Sequence, residues 1–195
     1  MKASSRYIVL FTALGIAFFT VAITSTGTAY DDEACHVALQ ILQEKKRGIV
    51  GPVAVSIPSA ATPTTRTAAE EIVRDIRRDG PVDPAEEFML ELIVKSADVD
   101  ELRPVEECEN VQQWMKSSHI IHDQMQIEKA EPVNGRYPFA IVRLSMPAVS
   151  NDGNHALMYI STTYGPLAGG GYMAWIKRQE DDRWAIDEEM QMWVS

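Results

Sequence analysis

Cysteine is nearly missing from this chain, with only Cys35 and Cys108 in 195 residues. Two are too few for a disulfide-dense mini-domain or a cysteine-rich zinc module. Cations are scarce as well: 18 Lys and Arg stand against 28 Asp and Glu, a net charge of −10. That balance argues against nucleic acid and anionic membrane as partners, because both require clustered Lys and Arg. The motifs that announce common chemistries are absent too. There is no HExxH zinc helix and no GxSxG elbow. The glycine-rich stretch Gly165–Gly171 has no Lys-Ser/Thr and precedes an expected strand, so it reads as a connection between strands and not a phosphate loop. Asp181, Asp182, Asp187, Glu188 and Glu189 lack the spacing of a calcium loop and read as a solvated acidic edge. No internal repeat occurs, and the one biased tract is the Ser/Thr/Pro stretch 59–65. What remains, 46% hydrophobic and 24% charged, is globular in composition and long enough for one domain.

The N-terminus carries an address. Lys2 and Arg6 precede an uncharged apolar run, Tyr7 to Ile23, and then the small residues Thr24-Ser-Thr-Gly-Thr-Ala29. Charge, apolar run and small residues in that order form a secretory signal peptide over 1–29. A single exported domain over 30–195 would follow. The 17-residue run is near the lower limit for spanning a bilayer, so a retained anchor is the alternative. Asp32-Glu-Ala34 ahead of Cys35 is too acidic for a lipobox. Export implies a periplasmic or secreted location, with no membrane contact once the signal is removed.

In an oxidising compartment Cys35 and Cys108 are expected to pair. Two buried free thiols and a reactive thiol are the alternatives. His36 is a poor base for Cys35, because helical neighbours diverge. His119-Ile-Ile-His122 offers two metal ligands only if helical and has no recognisable third, so no metal, cofactor or catalytic residue is assigned.

The periodicity divides the chain in two. The first half predicts a helix over 33–46 ending before Gly48, and a strand over 53–57. Further helices start at a Thr67–Glu70 capping box and at Asp83-Pro84, and a shorter one spans 106–116 beyond an interruption at Pro104. The third helix is expected to turn Phe88, Met89, Leu92, Ile93 and Ala97 inward. The second half alternates with period two over 139–146, 156–162, 172–178 and 184–193, and 119–128 offers one more strand. On the last segment Trp184, Ile186, Met190 and Met192 are expected to share a face. Helices first and strands afterwards predict an α+β fold, with N-terminal helices packed on one face of a C-terminal antiparallel meander. Cystatin-like and nuclear-transport-factor-like folds are analogies of architecture alone.

Ser150-Asn-Asp-Gly-Asn-His-Ala-Leu-Met-Tyr159, Gly165-Pro-Leu-Ala-Gly-Gly-Gly-Tyr172, Arg183-Trp184 and Trp193-Val-Ser195 together resemble a C-terminal signature of uncharacterised bacterial exported proteins. The resemblance covers about the last 50 residues. It implies a bacterial source and export and brings no activity. The reading that follows is a non-catalytic domain binding an envelope protein or a small molecule. The alternative is a carrier or enzyme with a pocket between sheet and helices, and a third reading has an edge strand joining another chain.

Overall fold

The computed structural model describes residues 32–57, 66–78, 84–98 and 103–195. The expected signal segment 1–29 and the 59–65 stretch lie outside the described residues. Helix α1 (Asp32–Gly48) opens on Asp32 and Glu33 and closes on Lys45, Lys46 and Arg47, each sign at the end of the helix dipole that favours it. Gly48 is the last helical residue. The left-handed turn falls later, on Gly51 at φ +103°, just before β1 (Val53–Val55).

Helix α2 (Arg66–Arg78) begins one residue ahead of Thr67, which places Thr67 inside the first turn and not at the cap. Helix α3 (Pro84–Asp98) starts on the expected proline. Its buried stripe is shifted from the predicted one: Leu92 and Leu90 are buried and Met89 is exposed. The shift has a cause, since α3 packs against both α2 and the sheet. Pro104 opens a short helix, α4 (Pro104–Glu107), where an interruption was expected. Cys108, in an extended conformation, separates α4 from α5 (Glu109–Ser117). The strand expected over 119–128 does not form. His119 takes φ +54°, only Ile121 bridges Ala54, and the Asp123 side chain accepts the Gln126 N–H at 3.1 Å to start α6 (Gln124–Glu128).

The remaining strands are β2 (Ala140–Leu144), β3 (Ala148–Val149), β4 (His155–Gly165), β5 (Ala168–Arg178) and β6 (Trp184–Val194). The order across the sheet is β1-β2-β4-β5-β6, with β3 paired to β4. Strands β4, β5 and β6 form the antiparallel meander that the sequence predicts. Strand β1 joins β2 in parallel, which makes the sheet mixed. Strands β2 and β3 lie along the same strand, β4, and are separated around Pro147, which has no N–H for the ladder. Strand β4 passes to β5 through Pro166 and Leu167 alone, so Gly169, Gly170 and Gly171 belong to β5 and not to the connection.

Both faces of the sheet carry helices, where one was expected. The inner face holds the main core: Val37, Ile41 and Leu42 of α1 and Val111 and Met115 of α5 meet Val142, Met158, Ile160 and Ala174. The outer face carries two small apolar clusters. Leu92 and Ile93 of α3 cover Ala148, Leu157 and Trp175, and Ile127 of α6 covers Ala54, Phe139 and Ile141. Each fully buried large side chain contributes roughly 1.5–3 kcal/mol relative to exposure. Cys35 and Cys108 are bonded, with Cα atoms 5.4 Å apart, and tie α1 to the α4–α5 junction. In the chain-entropy model a loop of 73 residues gives about 4 kcal/mol.

Candidate functional site

A ligand pocket between helices and sheet was one expectation for this fold. On the inner face Val37, Ile41, Leu42, Val142 and Ile160 are all fully buried. Two grooves among the described residues border the helices. One, of about 1080 Å³, runs between the end of α1 and the start of β6 past Arg47, Trp114 and Arg183. Another, of about 930 Å³, lies between α2 and α3 and mixes Arg74 and Arg77 with Glu87 and Glu91.

The residues singled out from the sequence do not converge. Cys35 and Cys108 are consumed in the disulfide. His119 and His122 sit in the turn before α6, both exposed, with His122 Nδ1 2.9 Å from the Ile120 carbonyl. Among the described residues no group of three or more His, Cys, Asp or Glu is placed to hold a metal. Asp181 pairs with Arg183 at 2.6 Å, which holds its carboxyl below the usual range. Asp152 is likewise held low, first by the Ser150 hydroxyl and then by the Asn154 N–H, and it organises the turn into β4.

The unsatisfied surface is strand β6. It begins well anchored. Trp184 is buried, its indole N–H donates to Glu33 at 2.7 Å and its backbone N–H to Gln40 at 2.7 Å, both on α1. Arg178 pairs with the same Glu33 at 2.9 Å and lies over the Trp184 ring. From Asp187 onward the whole strand is exposed. The register explains why. Ile176 faces Ile186 and Trp175 faces Glu188, so Asp187 is extra; Tyr172 faces Gln191 and Gly171 faces Trp193, so Met192 is extra. Each bulge reverses the alternation. Met190 therefore leaves the Trp184 face and joins the outer face beside Met173 and Tyr159. Glu189 turns to the inner side, where Lys45 of α1 holds it at 2.6 Å while lying over the Tyr172 ring.

The predicted apolar face of Trp184, Ile186, Met190 and Met192 is thus corrected. The first two point inward, and Met190 and Met192 are exposed at 53% and 46%. With Trp193 and Val194, also exposed, they make an apolar strip along an edge strand whose only strand partner among the described residues is β5. The Trp193 indole N–H donates to Tyr159 Oη at 2.6 Å, fixing the outer corner of that strip. Gly171 permits this closure, because a Cβ there would collide with both Trp193 Nε1 and Tyr159 Oη. Sequence reading missed the strip because its assumption of unbroken alternation hid both bulges. No family model, curated protein or solved structure matches the chain.

Proposed function

We propose that this chain is an exported, non-catalytic interaction domain of the bacterial cell envelope, docking an extended segment of another protein along β6. The observation that carries this reading is the exposed edge strand with Met190, Met192, Trp193 and Val194 on it. An edge strand offers unpaired backbone groups to an added strand, and the exposed side chains then select the partner. Asp187 and Glu188 flank the apolar strip in a chain of net charge −10, which suits a partner that alternates Lys or Arg with apolar residues. Export is supported by the signal pattern of 1–29 and by the disulfide, which persists in an oxidising compartment. Among the described residues no helix is long and apolar enough to cross a membrane. The C-terminal stretch that resembles a signature of uncharacterised exported proteins ends on this strand.

The test is site-specific photocrosslinking in intact cells, with the probe at Met190 or Val194 and a control at Lys116, exposed on α5. The expected result is one discrete adduct from both β6 positions and none from Lys116. Equal labelling from all three positions, or no adduct from β6, would overturn the proposal. A dimer of this chain as the adduct would do so as well.

A further inference from the structure

A second feature of the outer face is independent of the β6 edge. Between its two apolar clusters runs a polar row. Ser56 follows β1 and lies next to Arg143, donating its N–H to the Val142 carbonyl at 2.9 Å. Arg143 faces Ser161, Ser161 faces Gly171, and Gly171 faces Trp193. Ser56 and Ser161 are each 2% exposed and Arg143 is half-buried.

The donors of this row outnumber its acceptors. Arg143 Nε is buried without a hydrogen-bond partner. The guanidinium has one long contact, 3.4 Å to Thr163 Oγ1, and among the described residues no carboxylate pairs with it. Tyr159 Oη accepts the Trp193 indole N–H, and nothing among the described residues accepts its own proton. The same holds for the Ser161 hydroxyl. Tyr159 Oη lies over Gly171, where a Cβ would strike it, and Gly171 is the cross-strand partner of Ser161. The phenol, the serine hydroxyl and Arg143 thus share one face of the sheet, with Ser161 between the β2 side, where Arg143 stands, and the β5 side, where Tyr159 Oη lies. A half-buried guanidinium without a counter-charge is costly in an otherwise acidic chain with 10 more acids than bases. An acceptor-only group with several lone pairs removes that cost, and a planar fork of N–H donors is the usual cradle for one.

We infer that Arg143, Ser161 and Tyr159 form a binding site for a small oxyanion, a carboxylate or a phosphate. Arg143 supplies the charge and the fork, Ser161 and Tyr159 each donate one hydrogen bond, and Thr163 closes the side toward Ile141. No bond is made or broken there.

The experiment titrates the full chain with acetate and, separately, with inorganic phosphate, at constant ionic strength set by chloride. The readout is the indole N–H resonance of Trp193, assigned with Trp193→Phe. That proton is bonded to Tyr159 Oη, so a ligand that takes the Tyr159 proton shifts it. The expected result is a saturable shift with at least one anion, at a dissociation constant on the order of 1 mM or tighter. The anion that saturates identifies the source chemistry. Arg143→Gln should weaken that binding at least tenfold, and Ser161→Ala severalfold. Should Arg143→Gln not fold, Ser161→Ala decides: weakened binding supports the site and unchanged binding overturns it. No saturable shift with either anion would mean that water serves these donors, and the inference fails. Loss of the β6 adduct leaves this result untouched, so the two proposals fail separately.

Discussion

Gly171 shows how much one side chain decides on this sheet. In a strand, glycine is usually a weak choice, because it has no side chain to pack and loses more conformational freedom than any other residue. Here its missing Cβ is the space in which Tyr159 and Trp193 meet. Gly171→Ala should therefore break the indole–phenol hydrogen bond or push β6 away from β5. The expected cost is about 1–3 kcal/mol, the range for overpacking. It should show as a lower melting temperature together with a downfield-to-random shift of the Trp193 indole proton. An unchanged indole resonance would mean that the pair does not lie over this glycine. Arg143 is the contrasting case. Within Ala140-Ile-Val-Arg-Leu144 it is one polar residue on the non-core side of a strand, and such a residue usually points into water. Its half-buried position, with no carboxylate partner among the described residues, arises from the register with Ser161, which no local pattern in the sequence encodes.

At the scale of elements, local signals served where local physics rules. The charged ends of α1, the proline start of α3 and the alternating strands β4 and β5 all follow from capping, dipole and period. The failures lie where a tertiary neighbour decides. The parallel pairing of β1 with β2 is a long-range choice, and so is the burial of Leu90 in place of Met89. Strand β6 is the instructive example, because two bulges turn one expected apolar face into two half-strands with opposite duties. This division makes a sharp prediction. Trp184→Ala removes a buried indole and its hydrogen bond to Glu33, and should cost about 3–5 kcal/mol, seen as a steep fall in melting temperature. Met190→Ala, at a residue 53% exposed, should move stability by no more than about 0.5 kcal/mol. If the two variants melt alike, the bulge at Asp187 is misplaced and Met190 shares the Trp184 face after all.

For the whole molecule, the distribution of apolar surface is the main functional lead. The space between α1, α5 and the sheet is filled, the disulfide fastens those helices to each other, and the ion pair of Lys45 with Glu189 holds the helix layer to the last strand. Among the described residues the β6 edge stays open, and the polar row crosses the outer face from β2 toward it. The α+β class, the meander and the cysteine pair were legible in the sequence, since composition and period carry them. The candidate surfaces were not, because they arise from register, from bulges and from helices covering both sides of the sheet. The central claim is that β6 accepts an added strand. Backbone amide hydrogen exchange of the full chain, with and without a synthetic peptide alternating lysine and valine, tests it most directly. The account predicts fast exchange in the free protein at the β6 amides turned away from β5, and peptide-induced protection confined to residues 187–194. Protection that falls instead along the α2–α3 groove, or no protection at any peptide concentration that the chain tolerates, would contradict it.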